Sequence, residues 1–420
     1  MIQKPHGTID IFPEDIPVWR FIESKARDVA SRYGFKEIRF PTFEYTELFQ
    51  RGVGDTTDVV QKEVYTFSDR EKRSLTLRPE GTASVARMII ENGKCSDAMP
   101  LKYFYLINCF RHETPQAGRS REFSQFGVEI FGAPSANADV NVIAIAGALI
   151  RELGIKNVTL HINSIGCPKC RPDYHRALKE FFTANADNLC GTCKRRLDTN
   201  PLRILDCKSA VCSATADKAP KTIDYLCEEC RVHFNGVKKY LDIMNTGYSV
   251  NTRIVRGLDY YTRTVFEFIA DGIGAQSTVC GGGRYDGLVE TIGGPSLPGI
   301  GFAMGITRLI LAMEKSGVVI RDEDAPEIYI APIGENAVDK AAEMTEILRR
   351  NKIFAEYDLV GRSLKAQMKY ADKIKAGYTL IIGGDEIARG KALLRNMSES
   401  SQTEIDLNDV NSIIDIITKK

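Results

Sequence analysis

An α+β core, interrupted by a cysteine-rich insertion and followed by a small α/β domain, is the fold class this sequence predicts. Three observations carry it. Strand-like runs at 101–111 and 123–131 are joined by a local polar loop, which makes an antiparallel hairpin. Eight of the 11 cysteines crowd between Cys167 and Cys230 in four close pairs, which sets residues 167–247 apart. Beyond a charged stretch at 321–327, read as an exposed linker, strand and helix patterns alternate as in a largely parallel α/β unit. The expected division is a core of residues 1–166 and 248–322, an insertion at 167–247 and a C-terminal domain at 326–420.

Composition narrows the class. With 420 residues, 43% hydrophobic and 26% charged, the chain has apolar surface for more than one core, which excludes a disordered or fibrous protein. No apolar run reaches the ~18 residues of a membrane helix. The longest, at 140–150, is broken by Asn141. The N-terminus lacks a secretory apolar segment, so the expectation is a cytoplasmic protein with reduced thiols and no membrane partner. Lys+Arg 56 against Asp+Glu 55 gives +1, so any nucleic-acid footprint must be local.

The elements follow in order. Val18, Phe21, Ile22, Val29 and Tyr33 recur at helical spacing, with Gly34 as the cap. Residues 37–43 read as a strand interrupted by Pro41, suited to an edge. On the strand 123–131, period two puts Phe126, Val128 and Ile130 on one face. Gln125, Gly127 and Glu129 share the other, where polar groups beside a glycine outline a pocket. Its hairpin partner ends in Phe110, Arg111, His112 and Glu113, and an arginine ending a buried strand calls for an anion. After the insertion, 264–270 and 277–280 read as strands and 301–315 as a buried helix carrying Arg308. Gly281 to Tyr285 reads as a tight turn or a close approach to a ligand, without a Walker ending. Gly299, Gly301 and Gly305 read as room for packing that helix. In the insertion, the stretch around Cys207 looks like a buried strand.

In the C-terminal domain, 328–333, 354–359 and 378–383 read as strands, and 336–351 and 363–376 as helices. Between 361 and 395, eight basic residues (Arg362, Lys365, Lys369, Lys373, Lys375, Arg389, Lys391, Arg395) face three acids, a local excess of about +5.

Six stretches, in order, resemble one family over essentially the whole chain: the histidyl-tRNA synthetases, class II aminoacyl-tRNA ligases. Residues 34–41, after the first helix, resemble motif 1, the family's dimer interface. Phe110 to Glu113, the loop to Arg121 and the strand through Glu129 resemble motif 2. GIGFAMGITRLI, with Arg308, resembles motif 3. RGLDYY (256–261) and GGRYDGL (282–288) resemble the two histidine-specific motifs, and RPEGT (78–82) the amino-acid-binding loop. Thr114, Thr307 and His6 depart from the family's commoner arginine, acid and basic residue.

The resemblance implies a class II catalytic core with a mixed, mainly antiparallel sheet, and an anticodon-binding C-terminal domain. It implies ATP-dependent attachment of L-histidine to tRNA(His) through histidyl-adenylate, releasing AMP and pyrophosphate, by a homodimer using Mg²⁺. Arg256 and Arg111 would be the catalytic cations at the α-phosphate. Arg119 and Arg308 would hold the rest of the ATP, with Glu113 near the Mg²⁺. Glu80, Gly81, Thr82 and Gln125 would hold the amino group and backbone of histidine. Glu129 and Tyr261 would address its ring, with Tyr260 and Tyr285 close by. The alternative is a non-catalytic, synthetase-like regulatory subunit of histidine biosynthesis. Such subunits typically lack the RGLDYY arginine and the C-terminal domain, and this chain has both.

The thiols stand outside that resemblance. Cys167 and Cys170, Cys190 and Cys193, Cys207 and Cys212, and Cys227 and Cys230 supply the number of ligands for two Cys₄ zinc sites. Free packed thiols and disulfides stay open beside zinc.

Overall fold

The hairpin expected at 101–131 lies within an eight-stranded sheet. In chain order the first strands are β1 (Lys36–Glu37), β2 (Phe43–Tyr45), β3 (Tyr65–Ser68), β4 (Ser74–Leu77), β5 (Leu101–Phe110) and β6 (Glu122–Phe131). Next come β7 (Val158–Ser164), β8 (Ser249–Val250), β9 (Thr262–Ala270), β10 (Thr278–Arg284) and β11 (Gly299–Gly305). The large sheet runs β1-β5-β6-β11-β10-β9-β7-β8 and is antiparallel except at its two edges. The strands β2-β4-β3 form a small antiparallel sheet. This computed structural model describes residues 1–54, 57, 59–207, 209–273, 277–320, 325–399 and 401–418. It divides into two compact units, Met1–Ile320 and Arg321–Lys420. Of the expected linker at 321–327, positions 321–324 lie outside the described residues.

Period two on β6 decides the layout of the first unit. Phe126, Val128 and Ile130 join Phe266, Phe302 and Met304 in the main core. Helices Ile16–Arg32, Ala136–Glu152, Glu228–Ile243 and Ile306–Lys315 contribute to that core, which absorbs the apolar run at 140–150. The opposite face, with Gln125, Gly127 and Glu129, is left for the site. Helix Ile16–Arg32 ends at Tyr33, and Gly34 takes φ +77°, a left-handed turn that glycine adopts without strain.

Several expected elements are revised. Pro41 divides the 37–43 run, so its ends belong to different sheets, β1 and β2. Gly281 to Arg284 form no turn but lie in the interior strand β10. Gly299 to Gly305 are strand β11, and the helix bearing Arg308 begins only at Ile306. The stretch before Cys207 is a 3₁₀ turn, Pro201–Ile204, and not a strand.

Arg284 is fully buried, as is Asp139, which pairs with it across 145 residues of chain. The guanidinium also donates to Asp286 at 3.0 Å and to the Ala133 carbonyl at 3.0 Å, and His233 Nε2 lies 3.2 Å from Asp139 Oδ1. Burial works against the Asp139 charge, but Arg284 and His233 outweigh it and hold the carboxyl below its usual range. Removing one partner strands the other charge. Arg284→Met is expected to cost ~3–5 kcal/mol in denaturant unfolding. Because the folded-state value of Asp139 is depressed, its contribution is present above pH ~4 and is lost as pH falls through that lowered value. An unchanged unfolding midpoint would contradict the network's role.

In the second unit, β12 (Ile328–Pro332), β13 (Ala355–Tyr357) and β14 (Tyr378–Ile382) are parallel, as expected. Two strands unforeseen from sequence, β15 (Lys391–Asn396) and β16 (Gln402–Asp406), extend the sheet antiparallel in the order β13-β12-β14-β15-β16. The basic excess is narrower than its count suggests. Arg362 pairs with Asp358 at 2.6 Å, Lys391 with Glu404 at 2.8 Å and Arg389 with Glu386 at 3.4 Å. Lys365, Lys369, Lys373 and Lys375 stay exposed along and just after helix Leu364–Lys373. Among the described residues, no helix is long and apolar enough to cross a membrane.

Candidate active site

The cavity of the first unit owes its room to small residues in register. Tyr105 on β5 stands opposite Gly127 on β6, Gly127 opposite Ala303 on β11, Ala303 opposite Gly281 on β10, and Gly281 opposite Glu267 on β9. A Cβ at Gly281 would come within 2.6 Å of the Arg256 guanidinium, so the absent side chain is the seat of that arginine. A Cβ at Gly127 would likewise collide with the Tyr105 ring. The cavity over this floor measures about 820 Å³. Glu80, Gly81, Thr82, Arg111, Glu113, Arg119, Gln125, Arg256, Tyr260, Tyr261 and Arg308 all line it.

Glu129 and Tyr285 do not line the cavity; both are buried just behind, and Glu129 meets the lining residues Thr82 and Tyr105. The carboxylate accepts from Thr82 Oγ1 at 2.8 Å, from Tyr105 OH at 2.9 Å and from Tyr285 OH. Burial pushes Glu129 up to about 8, against the pull of those three donors. Beside it, Glu80 accepts the backbone N–H groups of Thr82 at 2.7 Å and Ala83 at 2.9 Å, which caps helix Thr82–Glu91 with a side chain from the preceding loop. Tyr260 OH donates to Glu80 at 3.3 Å. Burial also raises the Glu80 carboxyl. This end of the cavity has the Glu80 carboxyl and several hydroxyls on its wall and the Glu129 carboxyl directly behind them, a setting for a small polar molecule with N–H donors.

A second set of groups is cationic. Arg111 Nε donates to the Pro79 carbonyl at 2.8 Å, and its guanidinium lies 5.4 Å from the Phe123 ring centroid. Arg119 binds Glu113 at 2.7 Å. Arg308 donates to the Thr278 carbonyl at 2.8 Å; burial, then the nearby Arg119, lowers its pKa. Arg256 is largely buried, paired with Glu267 and 5.6 Å from the Tyr261 ring centroid. Burial opposes its charge most strongly, but Glu267, Tyr261 and Tyr260 together outweigh it and hold the guanidinium above its ordinary value. Arg256 Nε and Arg119 Nε are buried donors without a protein partner. Clustered arginines with unspent donors suit a polyanion.

Sequence reasoning missed three residues here. Tyr105 sits in an aromatic-rich strand where any ring could be core, and only its register over Gly127 assigns it to Glu129. Glu267, the partner of Arg256, was hidden in a strand. Cys109, one of the three cysteines outside the insertion, donates to Gln125 Oε1 at 3.3 Å, and burial pushes it up to about 12.

The thiols form two clusters, Cys167 with Cys170, Cys227 and Cys230, and Cys190 with Cys193, Cys207 and Cys212. Within each, the sulfurs lie within 4.8 Å of one another, an arrangement able to hold a metal ion. All 11 cysteines are free of disulfides. Cys207 also lines the cavity.

Comparison with known proteins agrees with this architecture. The family model described as histidyl-tRNA synthetase matches residues 7–169 and 203–309, and the anticodon binding domain matches 327–416. A curated histidine–tRNA ligase of Caldicellulosiruptor bescii is 52% identical over 409 residues, covering 97% of each chain. Another, of Clostridium perfringens, is 49% identical over 417 residues and covers 99% of each. The crystal structure of apo S. aureus histidyl-tRNA synthetase superposes with a TM-score of 0.82 at 38% identity, covering all of both chains. This chain belongs to the histidyl-tRNA synthetase family.

Proposed function

We infer that the chain joins L-histidine to tRNA(His) at the expense of ATP. The observation that carries this reading is the meeting, at one cavity, of a carboxyl–hydroxyl network, Glu80 on the wall and Glu129 directly behind it, with a cluster of arginines. The histidine carboxylate attacks the α-phosphorus of ATP, the bond to the bridging oxygen breaks, and pyrophosphate leaves. Negative charge grows on the phosphoryl oxygens, so fixed cations are what lowers the barrier. Arg256 and Arg111 take that part, and Arg119 and Arg308 hold the remaining phosphates. A terminal ribose hydroxyl of the tRNA then attacks the adenylate carbonyl; AMP departs and its phosphate takes up the proton.

Histidine's amino group lies with Glu80, Thr82 and Gln125, and its ring with Glu129 and Tyr261, beside Tyr260 and Tyr285. Buried hydroxyls and carboxyls around the ring reject apolar analogues by ~10⁴ or more, because polar partners would go unpaired. Mg²⁺ bound with the triphosphate would supply charge neutralisation there. Glu113 and Glu267, wall carboxylates already paired with arginines, fit one or two contacts to an ion held chiefly by phosphate. The two thiol clusters would hold structural Zn²⁺, which would supply no reacting group to either step.

The chain acts as a cytoplasmic homodimer built on the motif 1 edge. The exposed strand β1 and the exposed rings of Phe43, Tyr45 and Phe67 nearby support this assembly. The regulatory-subunit alternative is not favoured, since curated ligases match at about 50% identity through the anticodon binding domain.

The second unit binds the anticodon region through Lys365, Lys369, Lys373 and Lys375. A Lys365→Glu, Lys369→Glu variant is expected to lose ~10-fold in kcat/KM for tRNA, with charging more salt-sensitive than pyrophosphate exchange. Equal loss of both activities would contradict this placement.

A further inference from the structure

We propose that each thiol cluster holds one Zn²⁺, and that the two ions brace residues 251–263 from opposite ends, so that metal content sets the rate of histidine activation. The proposal rests on the ligase reading above. Four sulfurs bonded to one zinc at ~2.3 Å stand ~3.8 Å apart. In the first cluster the Sγ atoms of Cys170 and Cys167 are 3.7 Å apart, those of Cys167 and Cys227 3.8 Å, and those of Cys170 and Cys230 3.9 Å. In the second, Cys190 and Cys207 are 3.9 Å apart. The backbone N–H groups of Cys167 and Cys190 each donate to a sulfur, Cys170 Sγ and Cys212 Sγ, at 3.1 Å. Such outer bonds orient and stabilise thiolate ligands. Closed four-sulfur sets of this kind suit structural Zn²⁺.

Each cluster is tied to the segment that carries Arg256, Tyr260 and Tyr261. Arg171 directly follows Cys170 and donates to the Tyr261 carbonyl, and through Nε to the Ile165 carbonyl at 3.4 Å. The backbone of Arg263 donates to the Gly166 carbonyl at 2.8 Å, next to Cys167. From the other side, Arg253 grips the strap around Cys207 and Cys212. It binds the Leu205 carbonyl at 3.4 Å, Ser213 Oγ at 2.9 Å and Asp217 at 2.7 Å. Leu205, Asp206 and Cys207 line the cavity themselves. The strap belongs to a small core built on short helices, the setting in which a metal supplies order that apolar burial cannot. The ions touch no substrate. They fix the backbone from which Arg256 reaches its seat over Gly281, and Arg171 and Arg253 are the positioning residues.

The test uses the full chain purified without chelator. Elemental analysis should give two zinc per chain, and one each in Cys193→Ser and Cys230→Ser, while Cys95→Ser, outside both clusters, keeps two. In both one-zinc variants the rate of adenylate formation per active site should fall by ~10–100-fold, the scale of a misplaced catalytic group. Titrating active sites by the adenylate burst separates this from partial unfolding, which lowers the active fraction and spares the rate. Arg253→Ala should keep both ions and still slow activation. Zinc below ~0.2 per chain with all eight thiols titratable, or iron in its place, would overturn the sites. Unchanged rates in the one-zinc variants or in Arg253→Ala would overturn the brace. Absence of histidine-dependent exchange in the zinc-replete parent would instead defeat the ligase reading and leave the metal count standing.

Discussion

Arg256→Ala is expected to slow histidyl-adenylate formation by ~10²–10³, because a fixed cation at the reacting phosphate is lost. The side chain belongs to a loop, and Glu267 keeps its hydrogen bond from Thr278 Oγ1 at 3.2 Å, so the fold should survive. Most of the loss should appear in kcat, since the charge it meets develops in the transition state, and little in KM for histidine. Arg256→Lys should recover only part of the rate, as an ammonium cannot hold Glu267 and donate to phosphate in one planar fork. Near-normal single-turnover adenylation in the alanine variant would refute the assignment.

Glu129→Gln should lower kcat/KM for histidine by ~10²–10³ and leave KM for ATP nearly unchanged. The carboxylate now accepts three hydroxyls, and an amide with a single acceptor oxygen leaves at least one of them short of a partner, a buried loss of ~1–3 kcal/mol. The pH dependence has a definite sign. Glu129 is pushed up to about 8 by burial, so its charged form grows as pH rises through that value. Recognition of a ring N–H by the carboxylate should therefore strengthen over the same window, and the glutamine variant should show no such step. Stability moves the other way. What the neutral carboxyl contributes is fully present below its unfolded value of ~4.3 and is lost as pH rises towards the raised one. An unchanged histidine KM with an unchanged pH profile would remove Glu129 from the pocket.

The parts of the site legible in the sequence were those fixed by local rules. Period two alone places Glu129 and Gln125 on one face of β6, and the motifs name Arg111, Arg256 and Arg308. What escaped depends on pairing between distant segments. Tyr105 becomes a partner of Glu129 only because β5 and β6 pair with Tyr105 opposite Gly127. The glycines of β10 and β11 have low strand propensity and looked like turns or helix packing. They are strands because β6 and β9 flank them and because large side chains fill the space over them. Arg284 looked like part of a glycine-rich turn, while its counter-ion Asp139 sat one residue before the apolar run at 140–150 and carried no signal of its own. The four cysteine pairs were visible, but which pairs share a cluster was not, since Cys167 and Cys227 meet across 60 residues. β15 and β16 were missed because KALLRN and QTEID are short and half polar.

The central claim is that this cavity activates histidine, and ATP–pyrophosphate exchange measured with each of the twenty amino acids tests it most directly. Robust exchange with histidine alone is expected, cut ~10²–10³-fold by Arg256→Ala and followed by charging of tRNA(His). Exchange with another amino acid and none with histidine would contradict it.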